Sequence, residues 1–333
     1  MAGVTADKEV REEIMNWSPA VPLKEPPIFV WPPKPLALVK WLLGYPGYFL
    51  PHNFFYMGLA LLTWLYLTPD MATMKTFQFD WIAWIYGRNL AFMFLVFGGW
   101  HLHFYVTRTQ GIAYKFNENW PEPKHQRFLF GDQVWDNVFW TTVCGGAIWT
   151  TYEVLTLWAF ANEFIPYLNW NTNPIWFVVL FLAIPFIRDI HFYLVHRLLH
   201  VKAVYRSVHY IHHKNLNIGP WTGLAMHPVE LLLQFSSVLI HLVVTSHPLH
   251  VIFNLQHAGL TPSLGHAGFE KCLLGRSRLH ISRHFHYLHH KYFECNYGGD
   301  TVFMDKWFGS FHDGTPEADA LMMERRKKVH AQA

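Results

Sequence analysis

Residues 174–200 read PIWFVVLFLAIPFIRDIHFYLVHRLLH. From Ile175 to Ile187 there is no charge, yet the run is shorter than the ~20 residues a helix needs to cross a bilayer. It crosses only if the helix continues through Arg188 and Asp189. That continuation carries His196 and His200 beyond the lipid, and their i, i+4 spacing puts both rings on one face. The segment therefore predicts a membrane helix that ends in a pair of metal-ligating side chains.

Two further clusters lie downstream, His209-x2-His212-His213 and His286-x2-His289-His290. Their i, i+3, i+4 spacing lets each cluster aim its rings at one point from a helix. Eight imidazoles (His196, His200, His209, His212, His213, His286, His289 and His290) exceed what one ion takes, so two ions are expected. Imidazole suits Fe, Cu, Ni and Zn alike. His227, in Met226-His227-Pro228, and His266, in Gly265-His266-Ala267-Gly268, are candidates for the same cavity. His191 lies about 140° round the helix from His196 and is expected to support rather than ligate. His284 is expected to face outward. His101 and His103 are about 200° apart and cannot chelate one ion from a regular helix. Asp189 and Glu230 are candidates for holding ring N–H groups, or for helix-end charges and salt bridges. Arg197 is expected to pair with a carboxylate.

With 52% hydrophobic, 18% aromatic and 15% charged residues among 333, the chain reads as a membrane protein. A mean hydropathy of +0.10 still leaves room for a large water-facing part. The net charge of +3 is too small to suggest nucleic-acid binding, and three scattered cysteines offer neither a disulfide framework nor a CxxC site. The Arg325-Arg326-Lys327-Lys328 run suits a tail near lipid headgroups. Spans are expected at about 48–67, 81–106, 137–160 and from 175 onward, with a re-entrant hairpin at 229–260 broken by His247, Pro248 and His250. The loop 107–136 carries Arg108, Lys115, Lys124 and Arg127, whereas the loop 162–174 has no Lys or Arg, so the long loop is expected to face the cytoplasm. The expected architecture is an all-α integral membrane protein of about four transmembrane helices plus the hairpin. Its divisions are an N-terminal arm and membrane-surface segment (1–47), a bundle (48–187) and a catalytic region (188–333) with the His clusters and both termini on the cytoplasmic side.

The segments His196-Arg197-Leu198-Leu199-His200, Tyr205 to His213, His227-Pro228-x-Glu230, Gly265-His266-Ala267-Gly268 and His286-Tyr287-Leu288-His289-His290 together resemble the fatty acid hydroxylase/sterol desaturase superfamily of membrane non-haem di-iron enzymes. Asn296-Tyr297-Gly298 and Asp305-x-x-Phe308-Gly309 resemble its closing pattern. The resemblance runs from Asp189 to about Asp313. It implies that the eight clustered histidines hold two Fe ions, with His227 and His266 as further ligands or supports. Zinc is expected to replace iron in some purified material. Where the family usually has a serine, this chain has Ala267. The implied activity is O2-dependent hydroxylation or desaturation of an unactivated C–H bond in a sterol, fatty acyl chain or other lipid from the bilayer. Electrons must come from outside (a ferredoxin, a cytochrome b5-like donor or a reductase), since the chain has no flavin or Fe–S motif. The competing readings are a His-rich membrane metal-binding or transport protein, and a haem protein using the second span.

Overall fold

The computed structural model describes residues 17–121, 124–275, 277–299 and 303–331. The charged segment 7–13 lies outside them. Helix makes up 64% of the described residues. The all-α expectation is corrected at one place: Lys271–Leu274 (β1) and Ser277–His280 (β2) form an antiparallel hairpin, with Gly275 at φ +61° in its turn.

The helices are α1 (Pro35–Leu43), α2 (Phe54–Leu62, extended by a π-helical turn to Leu67), α3 (Phe79–Val106), α4 (Gln133–Phe139), α5 (Gly146–Ala161) and α6 (Pro174–Leu199). A π-helical turn at Tyr205–His209 then leads into α7 (Tyr210–His213). The remaining helices are α8 (Pro228–Phe235), α9 (Pro248–Leu260), α10 (His284–Tyr292), α11 (Phe303–Trp307) and α12 (Pro316–Ala331). Among the described residues, α3 and α6 are long and apolar enough to cross a membrane. Helix α6 runs unbroken through Pro185, Arg188 and Asp189.

Local chemistry sets the boundaries. Asp132 caps α4 by accepting N–H bonds from Val134 (2.8 Å) and Trp135 (3.0 Å). Helices α8 and α9 both begin with a His-Pro pair. Proline suits the first turn because its missing N–H has no helical partner there. In each pair the histidine caps: His227 Nδ1 accepts from Val229 N at 3.2 Å, and His247 Nδ1 from Leu249 N at 3.0 Å. Pro51 delays α2 to Phe54 rather than Tyr48, with Leu50 in an extended conformation.

All thirteen residues of α9 are buried, which makes it the central post of the fold rather than a lipid-facing arm. Its polar side chains each meet a neighbour, although Gln256 Oε1 has no partner among the described residues. His250 Nε2 meets the Phe177 carbonyl at 2.9 Å, Asn254 Oδ1 accepts from Ser237 at 2.8 Å, and Gln256 Nε2 donates to Thr63 at 2.7 Å. Around the post, Trp149 stacks on Phe235 and Phe181 leans on Phe253. The proline-rich arm lies along the C-terminal region. Leu23 N donates to Asp313 O at 2.8 Å, Glu25 pairs with Lys306, and Phe29 stacks on Phe303 at 4.8 Å.

Candidate metal centre

Nine imidazoles gather in two nests. His196, His200, His209, His213 and His289 form one; His212, His266, His286 and His290 form the other, and within each nest the ligand nitrogens all lie within 4.8 Å of one another. Helix α6 supplies His196 and ends at His200. The π-helical turn brings His209 into line, α7 splits His212 and His213 between the nests, and α10 does the same with His290 and His289. Adjacent residues on a helix differ by about 100°, so His212-His213 and His289-His290 can each face two neighbouring centres.

The orientation of the rings tests whether ions fit. His196 Nδ1 meets the Tyr297 carbonyl at 2.7 Å, His266 Nδ1 that of Pro262 at 2.8 Å, and His289 Nδ1 that of Cys295 at 2.6 Å. A carbonyl oxygen only accepts, so each Nδ1 carries the proton and each neutral ring turns a bare Nε2 lone pair inward. Yet Nε2 of His196 lies 3.2 Å from that of His209, His289 3.0 Å from His213, and His266 2.9–3.2 Å from His286, His290 and His212. Lone pairs this close repel unless a cation sits among them. A metal–nitrogen bond of about 2.0–2.1 Å spaces ligand nitrogens about 2.9 Å apart at right angles and about 3.4 Å apart at the tetrahedral angle. The observed spacing falls inside that interval, so the donor set fits one transition-metal ion per nest.

Electrostatics favour the same state. Burial first, then the neighbouring imidazoles, pushes His212, His213, His289 and His290 well below the usual histidine range, and burial holds His266 at about 4. Neutral rings are the form that binds metal. Glu230 Oε1 accepts from His209 Nδ1 at 2.7 Å, which fixes that tautomer too.

Of the other sequence candidates, His227 caps α8 and lies in neither nest. His191 contacts Ser236 Oγ at 3.0 Å, His103 contacts Cys272 Sγ at 3.2 Å, and His101 stacks on Tyr105. His284 packs against Phe116 and Tyr287. Asp189 accepts from the Tyr48 hydroxyl at 3.2 Å, and Arg197 lies over the Tyr297 ring at 4.6 Å.

Sequence reading misses the three carbonyls that orient the rings, because every residue has one. The segment carrying two of them does leave a signal. Asp305 accepts from Tyr297 N (2.8 Å) and Gly298 N (2.6 Å), while Asn296 bridges Phe285 O and His312 O. A Cβ at Gly298 would lie 2.8 Å from Asp305 Oδ2, so glycine is required there. Burial raises Asp305 to about 6, and its hydrogen bonds to Ser310, Gly298 and Tyr297 oppose the rise.

A cavity of about 180 Å³ opens onto both nests. His196, His209, His212, His266 and His286 form part of its wall; Tyr48, Asn53, Tyr56, Phe192, Leu199 and Phe285 form another part. The first half of the chain thus enters the cavity through the 47–56 segment.

Residues 180–310 match the sequence model of the fatty acid hydroxylase family, and with the relatives below they place this region in the fatty acid hydroxylase/sterol desaturase superfamily. The chain is 34% identical over 136 residues to a Delta(7)-sterol 5(6)-desaturase of Gibberella zeae, covering 40% of this chain and 42% of that one. It is 31% identical over 135 residues to a Delta(7)-sterol-C5(6)-desaturase of Nicotiana tabacum (39% and 48%). It is 28% identical over 151 residues to a methylsterol monooxygenase of Gallus gallus (44% and 51%). The chain thus spans about half the length of these curated relatives. No solved structure matches it.

Proposed function

We propose that this protein is a membrane oxidoreductase that uses O2 to hydroxylate or desaturate an unactivated C–H bond of a sterol, fatty acyl chain or other lipid. The observation that carries the reading is the pair of imidazole nests on the wall of one cavity of about 180 Å³ that Phe192, Leu199 and Phe285 also line. Two iron ions, when bound, would supply O2 reduction and the oxidising power for the C–H bond; zinc is expected in some purified material. The chain's own residues set the stage. Glu230 and the carbonyls of Tyr297, Pro262 and Cys295 keep the protons of four rings on Nδ1. Phe192, Leu199 and Phe285 keep the cavity apolar beside the nests, which excludes water and favours a lipid.

In this reading about four helices cross the bilayer, 229–260 forms a hairpin, and the region from 188 onward caps the bundle on the cytoplasmic side. The exposed Leu36, Val39 and Leu43 of α1 suit the membrane surface, in keeping with a 1–47 segment outside the spans. An external donor, either a ferredoxin, a cytochrome b5-like protein or a reductase, supplies electrons. The named activities of the sterol desaturase and methylsterol monooxygenase relatives support the lipid class. The decisive experiment is lipid mass spectrometry of cells expressing the intact chain or its His289→Ala variant. A lipid gaining one oxygen or losing two hydrogens only with the intact chain is expected. Identical lipid profiles, with O2 consumption absent from iron-loaded protein given a reductant, would leave a metal-binding protein without oxygenase activity.

A further inference from the structure

Elsewhere on the wall of the same cavity the polar groups are not all satisfied among the described residues. Arg188 is 4% exposed. Its Nε donates to His257 Nδ1 at 3.3 Å, and its Nη1 donates to Ser237 Oγ at 2.8 Å and Gln234 O at 3.4 Å. Among the described residues its Nη2 has no hydrogen-bond partner, and no carboxylate lies within ion-pair distance of the guanidinium. Gln234, also 4% exposed, has no partner for its side-chain amide among the described residues. Both residues line the cavity. A buried guanidinium that has no ion-pair partner among the described residues, Asp189 acting on it only from beyond that distance, and that keeps two N–H groups facing the cavity is stabilised by an oxygen that accepts from them.

The surroundings are pre-set for such a group. Because His257 Nδ1 accepts from Arg188, its Nε2 carries the proton and donates to Asn53 Oδ1 at 2.9 Å; Asn53 in turn donates to Tyr48 O at 2.8 Å. The guanidinium is thereby held in place by partners that leave Nη2 free. Two helices lead from this cluster to the nests. On α6, Arg188 precedes His196 by eight residues, a rise of about 12 Å, and on α8 Gln234 follows Glu230 by one turn, about 6 Å.

We propose that Arg188 and Gln234 grip an oxygen-bearing head of the lipid substrate and so determine which carbon reaches the nests. The assignment rests on the lipid-oxidation reading above and narrows it. A plain hydrocarbon is not the substrate, and the oxidised carbon lies on the order of 10 Å from the head oxygen. A hydroxyl accepts from Arg188 and donates to the Gln234 amide oxygen, whereas a carboxylate accepts from both side chains.

The test uses full-length, metal-loaded protein and two matched probe pairs, cholesterol against cholestane and hexadecanoic acid against hexadecane, with binding measured by radiolabel. At least one oxygenated probe should bind at least about tenfold more tightly than its hydrocarbon, as expected for hydrogen bonds to a charged group. That preference should shrink to about twofold or less in Arg188→Met and in Gln234→Leu. Preference in the sterol pair identifies a hydroxyl head; preference in the acid pair identifies a carboxylate. Because Arg188 also holds Ser237 and His257, Gln234→Leu, which removes only a partnerless amide, carries the test if Arg188→Met fails to fold. Equal binding of oxygenated and hydrocarbon probes, no binding of any probe, or a preference that survives Gln234→Leu overturns the proposal. Metal content measured on the same samples separates the two ideas. Wild-type protein that takes up no metal defeats the oxidation reading, whereas an unchanged preference with both nests filled defeats only the anchor.

Discussion

The two nests are built to different tolerances. Three rings of the five-membered nest, His196, His209 and His289, are tied at Nδ1 to Tyr297, Glu230 and Cys295, and two of the five face the cavity. In the four-membered nest His266 is tied to Pro262, while three of the four rings, His212, His266 and His286, line the cavity and His286 is half-buried. The first nest has one ring to spare, the half-buried His200, in an otherwise stiff frame. The second has fewer ligands and borders the space where a substrate would sit, which leaves it the more dependent on each imidazole.

That difference should be largest in a pair of variants. His266→Ala leaves three rings in the smaller nest and is expected to remove about one metal per chain and to lower turnover at least about a thousandfold. His200→Ala leaves four rings in the larger nest and should weaken metal binding only about 10–100-fold, with much of the metal retained at saturation. Metal analysis after dialysis, paired with turnover, measures both. Equal loss from the two variants would erase the asymmetry.

Removing the metal tests both nests at once. In chelated protein the buried rings stay neutral, with His266 at about 4 against about 6.5 in an unfolded chain. Below 6.5 the unfolded chain binds protons that the folded nests refuse. Stability is therefore fully present above pH 6.5 and is lost as pH falls toward 4. Thermal melts at pH 7.5 and 5 should show a lower Tm at pH 5 in chelated protein and, because metal-held rings refuse protons as well, a similar drop from a higher Tm after metal is restored. An unchanged Tm between pH 7.5 and 5 in chelated protein would mean that the rings are not kept neutral by burial.

Glu230→Gln probes the stiff frame alone. The amide keeps the shape but lets either tautomer of His209 form, so metal affinity in the larger nest should fall about 10–100-fold while the smaller nest is spared. Competition with a graded chelator separates the two sites. Loss confined to the smaller nest would invert the assignment.

The nests were legible because imidazole is a rare side chain and helical periodicity is rigid: the spacing of His196/His200, His209/His212/His213 and His286/His289/His290 already implied convergence. His266 was legible only as a neighbour of the cavity, since it comes from a short turn after α9 with no periodic pattern. The division into two nests was not legible, because it depends on the π-helical turn at Tyr205–His209 and on loop 295–298, and neither geometry is encoded in spacing. The β1–β2 hairpin was missed for a similar reason: Lys271-Cys272-Leu273-Leu274 is too short to show alternation, and its pairing rests on a turn at Gly275.

His227 is where chemistry and position part. As a residue type it equals any ligand, and the His-Pro-x-Glu motif puts it three residues from Glu230, which does reach His209. Its own ring, however, turns back to the Val229 N–H at 3.2 Å and starts α8. His227→Ala should therefore leave the metal stoichiometry at the wild-type value and cost about 1 kcal/mol of stability, as loss of a helix cap does. Asn, which can accept the same N–H bond, should restore that loss. Metal analysis and a denaturant titration of the three proteins check it. A fall in metal content that Asn does not rescue would assign the ring to the smaller nest and reduce the contrast between the two.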